Sequence, residues 1–258
     1  MPCPLCDDTG WRPLGGDEER RVVRCDCWRA ALVERLIEEA RIPPRYARCD
    51  LENFNTLNDS LSQAVRRARR FADQFPVVER GLFFLGHPGV GKTHLAVAVL
   101  KLVVRERGAH GLFFDTRELL RLIRSTYHPA RGTAEMDVLE PVIAANLLVL
   151  DDLGAEKPSE WVDETLNMIV NRRYNERRPT IFTSNYEVKE DLTEPDSLPV
   201  RVGFRMWSRL QEMCDFVPMD GPDFRELGPD PTVEELARAA QRGRPALARA
   251  LPSRAGSP

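Results

Sequence analysis

The stretch GLFFLGHPGVGKTHLAVAVLKLVVRERG, residues 81–108, decides the fold. A short apolar run ends in a glycine-rich loop, and an apolar helical pattern follows, closed by Gly108. Between them Gly86-x4-Gly91-Lys92-Thr93 has the spacing of a phosphate-binding loop, in the strand–loop–helix setting that gives the pattern its meaning. The glycines let backbone N–H groups turn inward around a β-phosphate, and the following helix presents its positive end. Gly86, Pro88, Gly89, Val90, Gly91, Lys92, Thr93 and His94 are therefore the candidate nucleotide-binding residues. Lys92 is suited to the β- and γ-phosphates of ATP, and the Thr93 hydroxyl to Mg2+.

Outward from this loop the chain alternates strand-like and helical patterns, as a parallel sheet flanked by helices requires. GLFFD (111–115), NLLVLDD (146–152) and PTIFTSN (179–185) read as further strands. The second of these, apolar on both faces, is expected inside the sheet. TRELLRLIRSTY (116–127) reads as a helix burying Leu119, Leu122 and Ile123, and SEWVDETLNMIVNRRYNER (159–177) as one burying Val162, Leu166, Ile169 and Val170. A carboxylate ending a buried strand beside the phosphate loop can hold Mg2+, which falls to Asp151. Asp152 is then placed to orient or deprotonate the attacking water, and Asn185 to sit between that water and the γ-phosphate. An adjacent acid pair can also be a solvated turn, and a strand-end Asn a turn former.

The chain has 258 residues, 42% hydrophobic and 30% charged, with a net charge of −3. That allows one α/β domain and a small module, and leaves nucleic-acid binding to local patches rather than overall charge. The longest apolar run, Leu95 to Val104, is interrupted by Lys101, so no membrane span is expected. The N-terminus lacks the basic-then-apolar order of a signal peptide, and a cytoplasmic protein is expected.

Six cysteines in such a protein read as thiols or metal ligands before disulfides. Cys3-x2-Cys6 and Cys25-x-Cys27 form two knuckles that suit tetrahedral Zn2+, a staple for a segment too short to build a core. Trp11 and Trp28 are placed to pack over it. WRAALVERLIEEARIPPRY then reads as a helix ended by Pro43-Pro44. Cys49 and Cys214 have no partner at ligand spacing.

Arg66, Arg67, Arg69 and Arg70 lie on a helix that turns Leu61, Val65, Ala68, Phe71 and Phe75 inward. Arg117, Arg121 and Arg124 recur at helical spacing. Both sets suit phosphates or a solvated face. The tail opens with a capping box, Thr232-x-x-Glu235, and ends with arginines and no acids, the composition of a mobile basic end.

Four blocks in this order, GHPGVGKTHLA, NLLVLDDLGAEKPSEW, NRRYNERRPTIFTSNY and RMWSRLQEMC, resemble the DnaC/DnaI-type replicative helicase loaders, an AAA+ branch close to the IstB-type transposition helpers. The resemblance covers roughly residues 1–225. It implies an AAA+ core without a full lid, an ATP site completed in trans by a neighbour's arginine, and self-assembly driven by ATP. Arg209 matches that arginine finger, with Arg205 one turn away as its competitor. Arg225 matches an arginine of the family's closing motif.

The resemblance further implies single-stranded DNA in a central pore and an N-terminal module that docks on the replicative helicase. The expected organisation is a zinc and helical module over 1–48, an AAA+ ATPase domain over 49–227, and a flexible tail over 228–258. The expected function is ATP-dependent helicase loading. The competing readings are a transposition helper on duplex DNA and an ATP-gated binding module with little turnover, the latter because Asp152 stands where many AAA+ proteins have Glu.

Overall fold

The computed structural model describes residues 3–14, 21–127, 134–189, 191 and 193–227, together with Thr232, Glu234, Glu235 and Arg238. A two-stranded antiparallel hairpin, β1 (Trp11–Leu14) and β2 (Arg21–Arg24), leads into α1 (Asp26–Glu39). Two 3-10 turns (Pro44–Tyr46 and Leu51–Asn53) and α2 (Asp59–Gln74) carry the chain to β3 (Gly81–Gly86) and α3 (Lys92–Arg107). Next come β4 (Gly111–Asp115), α4 (Thr116–Ser125), α5 (Glu135–Ala144), β5 (Leu147–Asp151), α6 (Glu160–Asn175) and β6 (Thr180–Ser184). Then α7 (Leu198–Val202), α8 (Phe204–Met213) and β7 (Cys214–Met219) close the core.

Strands β3 to β7 form one parallel sheet in the order β4-β5-β6-β3-β7. Because strand side chains alternate, each strand feeds two apolar layers. Leu82 and Phe84 of β3, Val149 of β5 and Ile181 of β6 pack with α2 and α3. Phe83 and Leu85, Leu148 and Leu150, and Phe182 pack with α4, α5, α6 and α8 on the other face. Strands β3 to β6 are buried on both faces, as their continuous apolar runs require. All carboxyl ends lie along one edge, where Gly86, Asp115, Asp151 and Asn185 gather.

The four expected core strands and the helices between them match within one or two residues. Gly108 caps α3 in the left-handed conformation, with φ 60°. In α4 the buried residues are Leu119, Leu120 and Ile123, so Leu120 rather than Leu122 completes the apolar stripe. Helix α1 stops at Glu39, ahead of Pro43; the chain turns at Arg41, whose φ of 60° no helix can continue. Leu36 and Ala40 at its end enter the core, and the Ala40 carbonyl accepts the Phe113 N–H of edge strand β4 at 2.8 Å. Helix α5 and strand β7 have no sequence-based expectation behind them, since Pro141 interrupts one and Asp215 and Pro218 the other. Pro218 is tolerated because β7 lies at the sheet edge. The capping box of the tail forms, with Glu235 N–H donating to Thr232 Oγ1 at 3.2 Å. The basic end expected beyond it lies outside the described residues.

Two buried cations hold the layers together. Lys101 is 2% exposed on α3 and reaches the Ala47 and Cys49 carbonyls and Asp50. Arg173 of α6 is 1% exposed and has no carboxylate partner among the described residues. It donates instead to the carbonyls of Val142, Ile143, Ala145 and Pro179 and to Thr180 Oγ1, satisfying the C-terminal end of α5 and fixing the entry to β6. Burial pulls its guanidinium below the usual range. Arg173→Ala strands these acceptors and is expected to destabilise the fold by about 4 kcal/mol, read as a urea midpoint shift at unchanged m-value.

Candidate nucleotide site

A cleft of about 690 Å3 opens at the carboxyl edge of the sheet. Its lining includes Gly89, Gly91, Lys92, Thr93, His94, Asp151, Asp152 and Asn185. Of the other expected contacts, Gly86 ends β3, Val90 is fully buried beneath the loop, and Pro88 stands exposed on its outer side. Gly91 takes φ 97°, and a Cβ there would meet the Phe54 ring at 2.5 Å, so only glycine serves.

The polar residues are already wired together. Lys92 Nζ donates to the carbonyls of Gly86 and His87, both at 2.8 Å, and to Asn185 Oδ1 at 2.6 Å. Burial lowers its pKa to about 8. Asp151 accepts from Thr93 Oγ1 at 2.9 and 3.1 Å and from Thr183 Oγ1 at 2.7 Å. Burial raises its pKa to about 6, against the pull of those two hydroxyls. Asp152 adopts φ 58°, turning its carboxylate toward the Asn185 side-chain amide, while its N–H donates to Thr183 Oγ1 at 2.9 Å. Its other oxygen pairs with Arg117 at 3.2 Å. Thr93 and Asp151 together are a donor set suited to Mg2+ beside a phosphate.

Several residues here were not read as site residues from sequence. Thr183 touches both acids; its only signal was a polar residue inside an apolar strand. Arg45, Tyr46 and Phe54 reach the cleft from the loops before α2, far from the motif in sequence. Arg225 also lines it, carried by a segment that clasps the phosphate loop. The Phe224 N–H donates to the Gly89 carbonyl at 3.1 Å, and the Asp223 carboxylate packs on Gly89. The α4 arginines do not act as one row. Arg117 is committed to Asp152, and Arg124 lies 4.3 Å over the Trp161 ring. Arg209 is absent from the lining of its own chain's cleft and donates to the Arg205 carbonyl at 3.1 Å.

At the N-terminus the four thiols of Cys3, Cys6, Cys25 and Cys27 lie within 4.8 Å of one another. The Cys3–Cys25 and Cys6–Cys27 sulfur separations are 3.8 and 3.2 Å. A zinc tetrahedron with bonds of about 2.3 Å has edges near 3.8 Å, so the cluster fits that ion. The Arg24 guanidinium lies over both the Trp11 and the Trp28 ring, at 4.4 and 4.3 Å.

A family model described as IstB-like ATP binding protein matches residues 28–226. The chain belongs to that ATP-binding family, and its P-loop core has the AAA+ fold. Among its relatives is the replicative helicase loader DnaC of Escherichia coli strain K12, 28% identical over 186 residues, or 70% of this chain and 75% of the relative. The crystal structure of the DnaC helicase loader superposes with a TM-score of 0.60 at 36% identity, covering 68% of this chain and 98% of that one. That of DnaI gives a TM-score of 0.57 at 26% identity, over 72% and 98%. Among the described residues no helix is long and apolar enough to cross a membrane.

The loop after Asp152 carries a second buried acid. Glu156 is 6% exposed; one oxygen accepts from the Gly154 N–H at 3.3 Å and the other has no partner among the described residues. Burial raises its pKa. A raised folded-state pKa gives stability that is fully present below the unfolded value and lost as pH rises through the folded one. Glu156→Gln is therefore expected to match the parent's thermal stability near pH 4 and exceed it at pH 8.

Proposed function

We propose that this chain is an ATPase that loads a ring-shaped replicative helicase onto single-stranded DNA. The observation that carries the reading is the cleft itself: phosphate loop, acid pair and strand-end Asn converge on one edge of a core matching 98% of the DnaC loader's solved chain. On binding ATP, Lys92 turns from the carbonyls of Gly86 and His87 to the β- and γ-phosphates. Thr93 and Asp151 would hold Mg2+, which would supply charge neutralisation at the phosphate oxygens. Asn185, released from Lys92, orients the attacking water together with Asp152. Arg209 of a neighbouring copy supplies the positive charge that stabilises the transition state, so turnover requires self-assembly.

The cysteine module, holding Zn2+ as a structural staple, is the docking element for the helicase. The module over 1–48, the ATPase core over 49–227 and the tail beyond it divide the work, with α1 bridging module and core. Cutting the chain at 48 would remove Leu36 and Ala40 from the core, so the module is better tested in the full chain. Cys27→Ser is expected to release bound zinc and abolish capture of the cognate helicase while nucleotide binding persists. No capture by the unsubstituted chain, with stimulation of a transposase on duplex DNA, would move the assignment to the transposition helpers.

The trans site has its own test. Lys92→Ala is expected to lose nucleotide binding or turnover, and Arg209→Ala to keep binding and lose turnover by roughly 10^3-fold. Mixing the two variants restores part of the turnover, because one interface then joins an intact Lys92 to an intact Arg209. Full activity in Arg209→Ala alone would end the assignment, as would absence of any multiple-turnover phosphate release with helicase and single-stranded DNA present.

A further inference from the structure

The two ends of the cleft differ in chemistry. Asp151, Asp152, Asn185 and Thr183 mark the terminal-phosphate end. The far wall, across the first turn of α3, is built from Cys49, Asn53, Phe54, Asn55 and His94. This wall is where the base must lie once the phosphates occupy the loop. Only a few of its polar groups are free to read a base edge. The Asn53 amide is consumed by its own turn, accepting from the Asp50 N–H at 3.0 Å and donating to the Arg48 carbonyl at 2.6 Å. Asn55 is exposed, and its amide can present either its donor or its acceptor, so it cannot discriminate.

His94 is different. Its Nε2 lies 2.9 Å from the Asp50 carbonyl. A carbonyl only accepts, so Nε2 carries the proton. In the ordinary neutral imidazole, with its one proton placed on Nε2 by the Asp50 carbonyl, Nδ1 is left as a bare acceptor. Among the described residues Nδ1 has no partner, and it is not one of the buried orphan atoms. The ring cannot turn over to exchange its nitrogens without losing the Asp50 bond. Phe54 also holds it edge-to-face, with centroids 5.3 Å apart at 80°. The ring that lines the cleft is thus held in place, with Nδ1 as its remaining acceptor.

We infer that His94 selects adenine over 6-oxo purines, its Nδ1 accepting a hydrogen bond from the exocyclic 6-amino group. A 6-oxo purine places a carbonyl oxygen there, and two acceptors face each other with no proton between them. The inference rests on the phosphate loop holding ATP, and deepens that reading by assigning the residue that chooses the base.

The test is competition against a fluorescent ATP analogue on the full chain, with three competitors: ATP, inosine triphosphate, and the purine riboside triphosphate that carries hydrogen at position 6. The unsubstituted protein should bind ATP roughly 10- to 100-fold more tightly than inosine triphosphate, with the 6-hydrogen purine between them. In His94→Gln the amide can turn either group toward the base, and the ATP-to-inosine ratio should fall to within about threefold, mainly by a gain for inosine. Equal binding of ATP and inosine triphosphate by the unsubstituted chain would overturn the inference while sparing the phosphate site, as would an unchanged ratio in His94→Gln. Failure of all three ligands to bind would overturn the phosphate-loop reading along with it. Should His94→Gln not fold, the nucleotide series on the unsubstituted chain decides the matter.

Discussion

The Thr183 hydroxyl is the joint on which the site turns. It donates to Asp151 at 2.7 Å and receives the Asp152 N–H at 2.9 Å, so one side chain of β6 sets both acids of β5. The arrangement depends on register. Strands β5 and β6 pair in parallel with Leu150 opposite Phe182, which brings Thr183 level with Asp151. A slip of one residue would turn Thr183 to the other face of the sheet and leave a buried carboxylate with one hydroxyl fewer. The register is itself fixed by the apolar layers on either face, which alternate along every strand. Core packing and site chemistry are in this sense one constraint.

The polar groups of the site satisfy one another. Lys92 spends its protons on the Gly86 and His87 carbonyls and on Asn185, and Asp152 is shared between Asn185 and Arg117. Each of these bonds involves a group that a nucleotide or its water would claim. A buried ammonium and a buried carboxylate with nothing to face would each cost several kcal/mol. The mutual bonds lower that cost and leave the groups close to where phosphate and metal would meet them.

Much of this was legible in the sequence because it is local. The loop Gly86–Thr93, the strand ending in Asp151 and Asp152, and the strand ending before Asn185 each carry their signal within eight residues. The four-cysteine cluster likewise follows from spacing alone. What escaped is long-range or masked by local rules. Thr183 reads as an ordinary strand residue until its register against Asp151 is known. Phe54 and Arg45 approach the cleft across some forty residues of intervening chain, and Arg225 from the opposite end of it. Helix α5 hides behind Pro141, and β7 behind Pro218, because the context that tolerates each proline lies in a different element. Arginine spacing on α4 is limited for a related reason: a helical row says which residues share a face, and the neighbours decide what each one touches.

The junction of α1 with the sheet bears on what can pair with its edge. Edge strand β4 would otherwise offer its backbone to any extended segment that drifted against it. Here the Phe113 N–H is taken by the Ala40 carbonyl, and the Arg41 guanidinium lies 4.7 Å over the Phe114 ring. A visiting strand finds its first docking point occupied and a cation in its path. A protein meeting this side of the sheet would have to do so through side chains rather than by adding a strand.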